Sequence, residues 1–98
     1  MRVVITDKRA LAALSPTAVA AYLRARGWTV VESDAYFAVF ERPGGDDKVG
    51  LEVPVRPSAG DYARRVAELL HNLELLEDRS QLDIYHGIVN ADLDAVRG

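Results

Sequence analysis

Residues 60–79, GDYARRVAELLHNLELLEDR, carry the longest unbroken period in the chain. Tyr62, Val66, Leu69, Leu73 and Leu76 recur at steps of four and three, which lines one face of an α-helix. Ala63, Ala67 and Leu70 widen that line into a stripe. Gly60-Asp61 marks the start, with Asp61 as the expected N-cap. A helix with one apolar face must bury it against another layer, so the fold is argued outward from this segment.

Before it, Ser15-Pro16 predicts a helix start, with Ser15 as N-cap and Pro16 at the first helical position. That helix runs to about Arg26 with Val19, Leu23 and the Tyr22 ring inward, and Gly27 stands where a left-handed C-cap residue belongs. Residues 2–6 (RVVIT) are β-branched and read as a short strand or extended arm. In the segment DKRALAAL that follows, Leu11 and Leu14 are spaced to meet the core.

Three strands are expected at residues 28–33 (WTVVES), 36–42 (YFAVFER) and 49–55 (VGLEVPV). The first pair is joined by Ser33-Asp34-Ala35 and the second by Pro43-Gly44-Gly45-Asp46-Asp47. Connections this short make an antiparallel meander. Pro54 cannot donate to a ladder, which puts the third strand at an edge, with Val49, Leu51, Val53 and Val55 on one face. After the long helix, Ser80-Gln81-Leu82-Asp83 has capping-box spacing. It opens a last helix to about Asn90, with Leu82, Tyr85, Ile88 and Val89 expected inward and ADLDAVRG as a fraying tail. The expected fold is therefore α+β in the order α-β-β-β-α-α: a three-stranded antiparallel β-meander with helices on one face and a short N-terminal strand or arm. At 98 residues the chain is expected to be a single domain, 1–98.

Two features of this plan bear on function. In the second strand Phe37 and Val39 face one way, and Ala38 and Phe40 the other. Both sheet faces are thus apolar, while helices on one side cover only one of them. The long helix also carries its charges against its own dipole. Arg64 and Arg65 follow Asp61 near the start, and Glu74, Glu77 and Asp78 crowd the end, where a helix favours bases by roughly 0.3–1 kcal/mol each. Asp61 and Arg65 offset part of this as an i,i+4 pair. Two copies packed antiparallel about a two-fold axis would set Arg64 and Arg65 of one against Glu77 and Asp78 of the other. These four residues are the candidate partner-binding set.

No catalytic constellation accompanies them. The chain has no cysteine, which excludes disulfides and thiolate chemistry. His71 and His86 have neither Cys nor a His-x-x-x-His partner, so no metal site is expected. Ser15, Ser33, Ser58 and Ser80 all sit where caps and turns need them, and none lies in a nucleophile elbow. Gly44-Gly45 lacks a Lys-Ser/Thr sequel and precedes Asp46-Asp47, which repels phosphate. The carboxylates at the end of the long helix are expected to be solvated and to have no acid–base role. No cofactor and no enzyme activity are expected. A net charge of −3 counts against a dedicated nucleic-acid binder. The opening MRVVITDKRALAALSP is too short and too polar for a signal peptide or a membrane span.

Two resemblances add to this reading. A helix ending in Gly27-Trp28, three strands closing on "EVPV", and a further helix resemble the HicA-type mRNA interferase toxins and their double-stranded-RNA-binding-like fold. The resemblance implies the α-β-β-β-α order. Ser33-Asp34-Ala35-Tyr36 stands where that family's catalytic His would lie, so cleavage is not implied. YLRARGW (22–28), VPV with GDYARRVAELL (60–70), and DRSQL (78–82) resemble the N-terminal region of uncharacterised, mostly actinobacterial proteins. This second resemblance implies a bacterial, cytoplasmic protein and an N-terminal module of a longer chain. The functional expectation is a non-catalytic protein–protein interaction or dimerisation module whose partner is another protein or a second copy. The alternative is an RNA-binding HicA-like module with lost or relocated ribonuclease activity, contacting RNA through Arg24, Arg26 and Arg64.

Overall fold

The computed structural model describes residues 4–44 and 47–97. The chain runs α1 (Lys8–Ala12), α2 (Pro16–Ala25), β1 (Thr29–Ser33), β2 (Phe37–Gly44), β3 (Asp47–Pro54), α3 (Tyr62–Glu77) and α4 (Gln81–Arg97). The strands form one antiparallel sheet in the order β1-β2-β3, so the α+β meander expected from the short connections is the fold. Both β1 and β3 are edges, and Pro54 lies at the end of one of them as its missing N–H requires.

Local signals account for much of this. The Ser15 hydroxyl accepts from the Ala18 N–H at 3.1 Å, with Pro16 opening α2. Gly27 takes φ +91°, the left-handed conformation that ends a helix without a Cβ penalty. Asp34 closes the first hairpin by accepting from the N–H groups of Tyr36 (2.7 Å) and Phe37 (2.8 Å). Those two bonds to the charged form hold its carboxyl below the ordinary range.

Two segments differ from expectation. Residues 2–6 were expected as a strand or arm: Arg2 and Val3 lie outside the described residues, and residues 4–6 join no strand, which leaves the arm; the difference lies just beyond it. Directly after them comes a short helix, α1, capped by Asp7, whose carboxylate accepts from the Arg9 N–H at 2.8 Å. Five residues are too few to show a helical period, and this hides α1 from a periodicity reading. The tail after Asn90 continues as helix to Arg97.

Ala38, Phe40, Leu51 and Val53 share the inner sheet face and are buried against Val19 and Leu23 of α2, Val66, Leu69, Leu70 and Leu73 of α3, and Ile84 and Ile88 of α4. Leu11 and Leu14 close the core from the N-terminal side. Tyr62 anchors the start of α3 there, its hydroxyl donating to the Leu14 carbonyl.

Helices α2 and α4 approach closely because Gly87 faces the Tyr22 ring, where an added Cβ would stand 2.6 Å from Cε1. A helix-interior Gly→Ala change ordinarily stabilises by up to about 1 kcal/mol. Here overpacking opposes it at about 1–3 kcal/mol, because hydrogen bonds pin the ring at its far end. Gly87→Ala is therefore expected to lower the urea midpoint, with a net loss of about 1–2 kcal/mol. A raised midpoint would show that the ring moves freely.

Candidate interaction surface

The two ends of α3 have opposite environments. At the start, Arg64 pairs with Asp61 (3.5 Å) and Glu68 (3.6 Å), and Arg65 pairs with the same two carboxylates at 3.2 and 3.5 Å. The guanidinium of Arg65 also lies over the Phe37 ring, 5.5 Å from its centroid. Asp61 occupies the N-cap position, but its backbone (φ −101°, ψ 10°) is not extended and its side chain makes no cap bond. The carboxylate instead serves the two arginines. Such exposed pairs contribute about 0–1 kcal/mol each, so this end is a solvated charge lattice.

At the other end the expectation of solvated acids fails. The Glu77 side chain is 1% exposed. Its Oε2 accepts from Arg26 Nε at 2.5 Å and lies 3.7 Å from Arg42 Nη1, and its Oε1 accepts from the Tyr22 hydroxyl at 2.9 Å. Arg79 Nη1 in turn donates to the Tyr22 hydroxyl at 2.8 Å. Glu74 is also buried, with His71 Nδ1 3.9 Å from its Oε1. Asp78 is exposed and ends the helix in the left-handed conformation at φ 50°.

Arg42 explains the arrangement. It shares the inner face with Ala38 and Phe40, stacks 4.9 Å over the buried Trp28 ring, and donates to the Leu76 carbonyl at 3.2 Å. A cation thus does sit at the C-terminus of α3, supplied by the sheet. The structure therefore does not bring Arg64, Arg65, Glu77 and Asp78 into one outward face. Glu77 is held inside the fold, which removes one of the two acids that the antiparallel pairing of two long helices would use.

The cluster also shifts titrations. Burial first, then the hydrogen bond to Glu77 and its charge, push the Tyr22 phenol up to about 12. Burial pushes Tyr62 up to about 12 as well. Both values exceed the ordinary 10, so the neutral phenols stabilise the fold fully below pH 10. That contribution is lost as pH rises toward 12. A near-ultraviolet phenolate titration is expected to show two late-ionising tyrosines, with unfolding accompanying their ionisation; four tyrosines titrating together near 10 in the folded protein would contradict this.

Of the cations expected to contact RNA, Arg26 is bound to Glu77 and Arg64 to Asp61 and Glu68, while Arg24 is exposed. Ser15 and Ser80 act as caps, Ser80 accepting from the Asp83 N–H at 3.2 Å. His71 and His86 are exposed, and among the described residues no group of three or more His, Cys, Asp or Glu could hold a metal ion. No helix among the described residues is long and apolar enough to cross a membrane.

Apolar surface is more informative. The last helix was expected to bury Leu82, Tyr85, Ile88 and Val89. It buries Gln81, Ile84 and Ile88, leaves Tyr85 half-buried, and turns Leu82 and Val89 outward. Leu82, His86, Val89 and Leu93 follow steps of four, three and four, a second stripe on the exposed side of α4, with Leu93 55% exposed. Sequence reasoning merged the two stripes because both fit a helical period.

The outer sheet face is dressed unevenly. Arg65 covers Phe37, whereas Val39 opens into a groove of about 610 Å³ between β3 and the C-terminal half of α3. No protein-family model matches the chain, and neither a curated protein nor a solved structure is significantly similar to it.

Proposed function

We propose that the protein is a non-catalytic protein–protein interaction module of a bacterial cytosolic protein, and that its contact surface is the outward stripe of α4. One observation carries this reading. A helix at the surface of a small domain needs one apolar stripe, and α4 has two, the second left uncovered. RNA contact has less support, because two of its three arginines already have carboxylate partners.

The simplest partner is a second copy, α4 against α4 about a two-fold axis. Sedimentation equilibrium from micromolar to millimolar protein is then expected to show the mass rising above the 10.8 kDa of one chain. Val89→Glu/Leu93→Glu is expected to stay at one chain's mass and to melt like the parent, since both side chains are exposed. A parent protein that remains monomeric throughout sinks the dimer.

A further inference from the structure

The two sheet edges are built differently. β1 is five residues long and its register with β2 slips between Val30 and Glu32, a bulge that blunts an edge against further pairing. β3 pairs with β2 in unbroken register over all eight residues. Beyond that ladder, no backbone hydrogen bond reaches residues 48–53 from any other described residue. Gly50, Leu51 and Glu52 of β3 line the groove, where Leu75 of α3 is 66% exposed and Leu76 and Asn72 complete the far wall.

The geometry points to this edge as a site for β-augmentation: an extended segment of another protein adds to β3 as a fourth strand, under the flank of α3. The register specifies its side chains. Glu52 lies across from Val39 on the outer face, is exposed, and has no ion-pair partner among the described residues. Among the described residues it is the only charged one lining the groove, so the incoming residue opposite it is Lys or Arg. Two positions along on the same face is Gly50, where nothing lies within 4 Å of an added Cβ. That notch beside Val39 takes a bulky apolar side chain. The residue between them lies across from Leu51 and points to the other face; with Leu51, Leu75 and Leu76 on the groove's lining it is apolar too. Added antiparallel, as every strand of this sheet pairs, the ligand reads basic–apolar–apolar from its N-terminal side.

This site is separate from the α4 stripe, and its test is independent of self-association. The probe is a synthetic heptapeptide of β-branched residues centred on Lys-Val-Phe, with Glu-Val-Phe as control, titrated into the full chain and followed by amide NMR shifts. The expected result is saturable shifts at Gly50, Leu51, Glu52, Leu75 and Leu76, with the control at least about tenfold weaker. Glu52→Lys should reverse that preference. Gly50→Val should abolish binding while keeping the fold, because the position is open and Val suits a strand. Equal binding of the two peptides overturns the proposal, as does an absence of shifts on β3 at millimolar peptide. A dimer that Gly50→Val dissociates would place a second copy there instead.

Discussion

Replacing both Arg26 and Arg42 by alanine is expected to destabilise the protein by about 3–5 kcal/mol, because it strands a buried carboxylate. The Glu77 side chain is almost wholly withdrawn from water, whereas those of Arg26 and Arg42 are 37% and 26% exposed. The asymmetry sets the order of effects. Glu77→Ala releases two cations that can turn outward, and is expected to cost less, about 2–3 kcal/mol, mainly in lost charge-assisted hydrogen bonds. For a domain of this size that is a fall in Tm of very roughly 8–20 °C, readable by circular dichroism. If Glu77→Ala left the midpoint unchanged, the carboxylate would be solvated and available to a partner. Salt provides a second readout: screening should weaken the exposed Arg64 and Arg65 pairs more than the Glu77 cluster.

Trp28→Ala is expected to cost about 3–5 kcal/mol, through lost apolar burial and the cavity left behind. Trp28 is 1% exposed and carries Arg42 on its ring, so the truncation also loosens the clamp on the end of α3. Trp28→Phe should behave quite differently. The indole Nε1 is buried without a hydrogen-bond partner among the described residues. Removing it relieves an unmet donor, which offsets part of the lost volume, and the net cost should stay below about 1.5 kcal/mol. Urea titration of the two variants decides this. Similar losses for Phe and Ala would mean that the indole N–H has a partner after all.

How far the sequence reached varied along the chain. The start of α2 and its end at Gly27 were legible because a cap and a φ > 0 position are chosen by residues within one turn. The meander was legible because short connections leave antiparallel neighbours little alternative. The two stripes of α4 were not separable, since a period says which residues share a face and not which face meets the core. The inward placement of Glu77 on α3 was illegible for a related reason. Glu77 lies next to the apolar stripe, and whether such a residue points to water or inward depends on what stands opposite. Its partners Tyr22, Arg26 and Arg42 are 55, 51 and 35 positions away, the differences between their residue numbers and its own.

The sequence by itself thus determined the α+β class, the strand order, the edge position of the third strand and the caps of the first long helix, all through local stereochemistry and short-range period. Tertiary structure alone decided that Glu77 belongs to the interior, that α4 shows a second apolar stripe to solvent, and that β3 keeps an open edge beside Leu75. Each of these depends on which distant groups come within a few ångströms, and the chain acquires those distances only by folding.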